Sequence, residues 1–458
     1  MKNKCDLCKM IQTNIFIEIC LIISNIICMK KLISYFIFFA VFLIFNLKAY
    51  SDEFLTDTLK LSLADAEKQF FTNNYRLLIS KLNIDAAQAG VVQARLWNNP
   101  NISIEQNIFN QYTHRWFDVT SSGNTEIQLQ QLILLAGKRD KQINLAKVNI
   151  NTAQYQFYDF VRALKSQLRK TFYDLYFLQS SLQFYDESIN SVRKTVKSSE
   201  AIYENRLILF SEVLRLKALL LSLETEKQRI NSQITDLHQT LKILLGDSSQ
   251  KQIYYVPVSD LKQLDGISIL NFKLQDLKLK GLYSRPDLKI AQSTIEYEEK
   301  NLEYQKALAV PDLTIGGRWS RQGSYIVDYF ALSLSIDLPL FNRNQGNINL
   351  SETTLNADKL IKENVKMQIE SDIASAYDKA VQAEKLYKSY DKSFAMQFKE
   401  YVQNMLSNYE KRLITIIEFA DFYDSYKSSM LQLNQLANLM VDSIEDLNYA
   451  VGIDVITY

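Results

Sequence analysis

Breakers are scarce in this sequence. Five prolines and eleven glycines in 458 residues leave long stretches with nothing to end a helix, so a mainly helical chain is expected. Cysteine is confined to Cys5, Cys8, Cys20 and Cys28, which excludes a disulfide framework beyond residue 28. Cys5 and Cys8 have the spacing of a metal or redox pair, but no second Cys/His pair stands near to complete a zinc site. The two histidines, His114 in an expected loop and His238 on an expected helix, give no ordinary metal-site spacing. Charge of one sign is missing too: 52 Lys and Arg stand against 51 Asp and Glu, a net +1, which makes no case for nucleic acid as a partner. There is no Gly-rich phosphate loop and no nucleophile motif in a recognisable context. Lone carboxylates on long helices read as solvated faces. No cofactor, no metal site and no enzyme activity are expected.

What is present begins with two apolar runs near the N-terminus. Met29-Lys30-Lys31, the apolar run after it and the small residues from Ala49 to Ser51 have the layout of a secretory signal. Residues 29–51 are read as that signal and residues 1–28 as an upstream extension or a misassigned start. The alternative is an uncleaved anchor.

The rest of the chain says the same thing twice. "YENRLILFSEVLR" starts at Tyr203 and "YEKRLITIIEFAD" at Tyr409, 206 residues on (409 − 203). Pro100 and Pro311, 211 residues apart (311 − 100), each separate a helix-like stretch from a strand-like one. Two features recurring at nearly one spacing indicate an internal duplication. The sequence divides into a first repeat over 52–246, a connector over 247–282 and a second repeat over 283–458.

Each repeat reads as helix, β-hairpin and helical hairpin. Helix is expected over Leu61–Trp97; Ile102 and Ile104, then Ile127 and Leu129, alternate with polar residues as strands do. Between Gly137 and Gly246 lies a breaker-free run too long for one helix of a globular domain, so it must reverse. The natural place is "YENRLILF", between a stripe of Leu164, Leu168, Phe172, Leu175 and Leu182 and a seam of Ile230, Ile234, Leu237, Leu241 and Leu244. Arms of roughly 60 to 100 Å follow from the helical rise. In the second repeat Leu313, Ile315 and Trp319 share a strand face, Phe330, Leu332, Leu334, Ile336 and Leu338 another, and a helical hairpin over about 346–450 reverses near "YEKRLITI". Four such strands cannot close a membrane barrel alone. Either they form sheets packed on helices or several chains pool them.

"LLAGKRDKQINLAK", "SRPDLKIAQ", "VPDLTIGGRWS", "DLPLFNRNQGNI" and "LNYAVGID" together resemble the outer-membrane efflux protein family, the trimeric channel-tunnels related to TolC, and within it the heavy-metal cation efflux branch. "GKR" and "LPLFNRNQG" are the most specific stretches. The resemblance implies a mainly α chain with a small β part, in which long coiled-coil hairpins accompany four strands that three copies pool into a 12-stranded barrel. It implies a passive conduit in the outer-membrane lipid, as a homotrimer with its tunnel in the periplasm, joined through a periplasmic adaptor (membrane fusion protein) to an RND-type inner-membrane pump. Divalent metal cations are the implied cargo; a multidrug or type I protein secretion channel is the alternative. An inner-membrane-anchored coiled-coil scaffold is the reading from another class.

The same resemblance assigns sites. The hairpin tips, Arg206, Leu207 and Ile208 with Arg412, Leu413 and Ile414, would contact the adaptor. Glu418 and Asp421 would line the periplasmic entrance as rings of charge, and Arg215 would face a neighbouring helix. Family members commonly carry Gly where this chain has Arg206 and Arg412, which leaves the tip conformation to be established.

Overall fold

The computed structural model describes residues 57–249, 253–322, 326–390 and 392–458. The extension, signal and cleavage site read from the sequence lie outside the described residues. The chain divides into two compact units, one of residues 1–58 with 249–254, the other of residues 59–248 with 255–458. Of the first unit only strand ends are described: Asp57 and Thr58 open β1 (Asp57–Ser62), and Ile253 and Tyr254 open β6 (Ile253–Val258), its partner in a two-stranded sheet. Everything below concerns the second unit.

There the elements run α1 (Leu63–Asn73), α2 (Tyr75–Ala94), β2 (Asn101–Gln106), β3 (Phe109–Asn110), β4 (Arg115–Trp116), β5 (Thr125–Ile133), α3 (Lys138–Glu204) and α4 (Phe210–Leu245). After β6 come α5 (Leu274–Ser284), α6 (Pro286–Leu308), β7 (Leu313–Gln322), β8 (Val327–Ile336), α7 (Gln345–Ser389), α8 (Lys392–Glu410) and α9 (Ile416–Val451). Four of the eight strands, β1, β3, β4 and β6, exceed the four expected. The segment read as one helix over Leu61–Trp97 is broken at Asn74, whose extended backbone (φ −64°, ψ 112°) ends α1 while its side chain caps α2. Helix α5 lies mostly within the stretch read as a connector.

The long helices form because nothing stops them, and they end where the chain can turn. Helix α3 runs 67 residues, about 100 Å at 1.5 Å per residue. Helix α4 runs 36 residues, about 54 Å, just short of the expected range. The excess length of α3 packs against α2 and α6 instead of its hairpin partner. Leu164, Leu168, Phe172 and Leu175 of α3 are buried, as are Ile230, Ile234, Leu241 and Leu244 of α4. In the second hairpin the first arm is split at Tyr390, which has extended backbone (φ −89°, ψ 131°).

One pair of contacts recurs at the spacing of the repeated stretches. Asn74 donates its amide to the carbonyl of Leu244 (2.7 Å), near the end of α4. Arg285 stands 211 residues after Asn74 and donates to the carbonyl of Ala450 (3.1 Å), 206 residues after Leu244. In each case the residue between two short helices satisfies a carbonyl that the end of a long helix leaves open. Gly246 closes α4 at φ 66°, and a Cβ there would lie 2.2 Å from the Asn73 carbonyl oxygen, so both conformation and space demand glycine.

His238, unassigned by sequence, is buried on α4 and accepts the backbone N–H of Tyr255 through Nε2 (2.6 Å). Burial, with Lys242 adding to it and Asp247 opposing, holds its pKa below the ordinary value. A folded-state pKa below the unfolded one means that the neutral ring stabilises the fold above about pH 6.5, and that this contribution is lost as pH falls through the ordinary value and then the folded one. Acidification should therefore loosen the Tyr255 contact, at a cost of about 1–3 kcal/mol once the acceptor is protonated. His238→Gln, which cannot titrate, should flatten the acid side of a stability-against-pH curve; an unchanged curve would remove His238 from it.

Candidate functional site

The repeated stretch folds into the same two-part turn at both tips. At the first, the Arg206 N–H bonds the Tyr203 carbonyl (2.7 Å) and the Leu207 N–H bonds that of Ile202 (3.2 Å). At the second, Arg412 bonds Tyr409 (2.9 Å) and Leu413 bonds Asn408 (2.8 Å) in the same pattern. This is a Schellman ending, which needs a left-handed residue at its first non-helical position. Arg206 (φ 57°) and Arg412 (φ 61°) adopt that conformation despite their side chains. The turn usually made with glycine is thus kept, at a conformational cost of roughly 1–2 kcal/mol per residue. Substituting Arg206→Gly and Arg412→Gly should relieve most of it, slowing amide exchange at Leu207 and Leu413 by up to about tenfold per tip. Faster exchange would show that the arginine side chains hold the turn.

The later glutamate of each copy serves the next helix. The Glu418 carboxylate accepts the N–H (2.8 Å) and hydroxyl (2.9 Å) of Thr415, and Thr415 Oγ1 accepts the Glu418 N–H (3.3 Å), a capping box at the start of α9. In the first copy Leu209 stands where the hydroxyl would be; its N–H reaches Glu212 at 3.5 Å. The backbone N–H and then the hydroxyl of Thr415 hold the Glu418 carboxyl below the usual carboxylate range, so it keeps its charge. This cap was legible as a Thr three residues before a Glu and went unread. Asp421, one turn further on, is exposed.

Fold brings the two tips side by side. A cleft of about 510 Å³ is lined by Leu207, Ile208, Arg412 and Ile414, with Glu212 and Arg215 on its wall. Arg206, Leu413, Glu418 and Asp421 do not line it. Its floor holds Tyr409, buried against Phe419 (ring centroids 5.5 Å apart), with the Tyr409 hydroxyl 3.4 Å from Ser199 Oγ. That contact ties the first hairpin to the second. Arg215 is exposed.

Away from the tips, the four strands expected from alternation form one antiparallel sheet in the order β2-β5-β7-β8. The register sets Ile104, Ile127, Trp319 and Phe330 in one row, and Ile102, Leu129, Gly317 and Leu332 in the next but one. Gln131, Ile315 and Leu334, then Ile133, Leu313 and Ile336, continue the same face. Apart from Gln131 and Gly317 these rows are apolar, with Gln106 and Thr125 following at the loop end of the same face, and much of the apolar part is open: Phe330 and Leu332 are each 77% exposed, Ile104 67%. The opposite face carries Ser103, Glu105, Glu126, Gln128, Arg318 and Ser333, with Arg318 3.5 Å from Glu126. No helix among the described residues is long and apolar enough to cross a membrane.

A sheet polar on one side and apolar on the other, joined to paired helices of this length, is the fold of outer-membrane channels. It is similar to the Campylobacter jejuni CmeC outer membrane channel, with a TM-score of 0.70 at 14% identity over 86% of this chain and 87% of that one. It is also similar to CusC, solved in a study of transmembrane channel formation, with a TM-score of 0.66 at 14% identity over 87% and 94% of the two chains. Residues 68–247 match the family described as outer membrane efflux protein. The cobalt-zinc-cadmium resistance protein CzcC of Cupriavidus metallidurans is 20% identical over 277 residues, 60% of this chain and 62% of that protein. The chain thus spans less than two thirds of that relative's length.

Proposed function

We propose that the protein is the outer-membrane component of a tripartite efflux system, a homotrimeric passive channel carrying divalent heavy-metal cations. Three copies of the sheet joined edge to edge make a 12-stranded barrel, with the apolar face to lipid and the polar face to water. The observation that carries this reading is the amphipathic sheet. Its outer strands β2 and β8 have one edge each without a strand partner among the described residues, and its apolar face is uncovered. Open edges and an exposed apolar face are both costly in water, and closure in a bilayer removes both. Ten-residue strands β7 and β8 match the length a tilted membrane strand needs. The metal cargo is supported by the likeness to CzcC, named for cobalt, zinc and cadmium resistance.

The tips are the proposed surface for the periplasmic adaptor, which would link the channel to an RND-type pump. Leu207 and Leu413 are 58% and 70% exposed, and Arg206 and Arg412 hold a left-handed conformation that glycine would adopt without strain. Trimer migration on gels with and without boiling tests assembly, and metal sensitivity of a deletion strain tests cargo. Unchanged metal tolerance with increased drug sensitivity would replace metals by drugs. The Gly variants at Arg206 and Arg412 should lose adaptor crosslinking while keeping the trimer.

Glu418 and Asp421 are proposed to form stacked acidic rings at the periplasmic entrance, where three-fold symmetry repeats each charge. The cap of Thr415 keeps Glu418 ionised, so its ring would hold its charge. Glu418→Gln with Asp421→Asn should weaken cation preference and multivalent-cation block from the periplasmic side in planar bilayers. Unchanged selectivity and block would take both residues out of the entrance.

A further inference from the structure

The turn joining β2 to β5, residues 107–124, lies at the end of the sheet away from the helices, and it is built inside out. Its polar groups face inward onto Asp118, which is 3% exposed. The carboxylate of Asp118 accepts the hydroxyls of Thr113 and Thr120 (both 2.6 Å), the Thr120 N–H (3.1 Å) and the Asn110 amide (3.0 Å). Gln106, the last residue of β2, donates to the Asp118 carbonyl (3.1 Å) and so fastens this hub to the sheet. Gly123 closes the ring of contacts. A Cβ there would lie 1.6 Å from the Asp118 carbonyl oxygen, so no other residue lets the chain pass.

The outside of the turn carries a large apolar set beside exposed Gln111, His114, Ser121 and Ser122. Tyr112 is 95% exposed, Trp116 69%, Val119 68%, and Ile108 and Phe117 61% each. Trp116 packs at a tilt against Phe109 across the short β3–β4 pair, with ring centroids 5.2 Å apart. Arg115 is its one exposed Lys, Arg, Asp or Glu side chain. Surface loops ordinarily turn polar groups outward, and a large exposed aromatic set marks an interaction surface.

We propose that this turn rests on the bilayer, its aromatic side chains seated at the boundary between lipid headgroups and acyl chains. The proposal builds on the barrel reading above. The apolar face of β2, Ile102 and Ile104, is followed by Gln106, whose side chain is tied into the hub, and then by exposed Ile108, which leads from the lipid-facing surface into the turn. Tyr and Trp rings favour that boundary because it buries the ring and keeps the polar tip wet. The backbone N–H groups of Asn107, Phe117, Thr120 and Gly123 are paired within the turn, which lowers the cost of lying there.

The chain has three tryptophans, Trp97, Trp116 and Trp319, which makes fluorescence selective. One variant, Trp97→Phe with Trp319→Phe, leaves Trp116 as the reporter; another, Trp97→Phe with Trp116→Phe, leaves Trp319 on the apolar sheet face. Each is reconstituted in phosphatidylcholine vesicles whose acyl chains are brominated near the headgroup, and is also exposed to iodide in the water. Trp116 should lose about half of its emission to the brominated lipid and be largely shielded from iodide. Trp116 open to iodide and untouched by bromine, while Trp319 is quenched by the lipid, would overturn the proposal and leave the barrel standing. Trp116 shielded from both quenchers would overturn it in favour of a contact between copies. A Trp319 that brominated lipid does not quench would overturn the barrel reading and this proposal with it.

Discussion

Leu332→Arg together with Leu334→Arg should abolish the assembled channel. These side chains are 77% and 65% exposed on the apolar face, in register with Gly317 and Ile315 of β7. An arginine facing lipid near the bilayer midplane costs about 2–4 kcal/mol, so six in a trimer exceed the stability that a typical domain has to spare. The helical part does not depend on them and should still fold. A heat-shifting trimer band and membrane extraction behaviour like that of the unaltered protein would mean that this face does not meet lipid. Ser333→Arg, one residue away on the polar face, serves as the control. It adds one positive charge to the same strand, against two in the double variant, and should assemble.

The second large effect is expected at Arg285, which is 5% exposed between α5 and α6. Its guanidinium donates to both carboxylate oxygens of Asp287 (3.2 and 2.5 Å), to Asp372 of α7 (3.0 Å) and to the carbonyl of Ala450 at the end of α9. One side chain thus joins three helices and satisfies a helix terminus. Arg285→Ala would leave two carboxylates and a carbonyl short of a partner, a loss of about 3–5 kcal/mol by analogy with other buried ion pairs. Arg285→Lys keeps the charge but not the fork, and should recover only part of that. Thermal unfolding of the trimer in mild detergent measures the difference. Asp287→Ala added to Arg285→Ala should cost less than the sum of the two single changes, because the second removes an orphan left by the first. Strict additivity would show that the pair is not coupled.

How much of this was written in the sequence differs by element. The long helices were legible because scarcity of glycine and proline acts locally, and the reversal points because the same turn was spelled twice. The sheet strands were legible from period-2 alternation, most clearly over Phe330 to Ile336. The short strands escaped. Strands β3 and β4 hold two residues each, too few for any period to show, and β1 overlaps the helix read from Leu61 only at its last two residues, the earlier ones having been assigned no element. Asn74 was missed because its extended conformation is held from a distance, by a carbonyl 170 residues away at Leu244. Glu418 was read as an entrance charge; the structure adds a second, local role as the cap of α9.

By itself, then, the sequence determined whatever depends on neighbours along the chain: where helices run, where strands alternate, and that Tyr203 and Tyr409 open equivalent turns. Only the tertiary structure decided what depends on distant residues. It alone set the rows that make one continuous apolar face from four strands, since a slip of one residue would turn every side chain to the other side. It alone put the two tips around one cleft, through the contact of Ser199 with Tyr409. It alone turned the polar residues of the turn at 107–124 inward onto Asp118, because that inversion rests on hydrogen bonds closed across the loop and not on the order in which its residues are written.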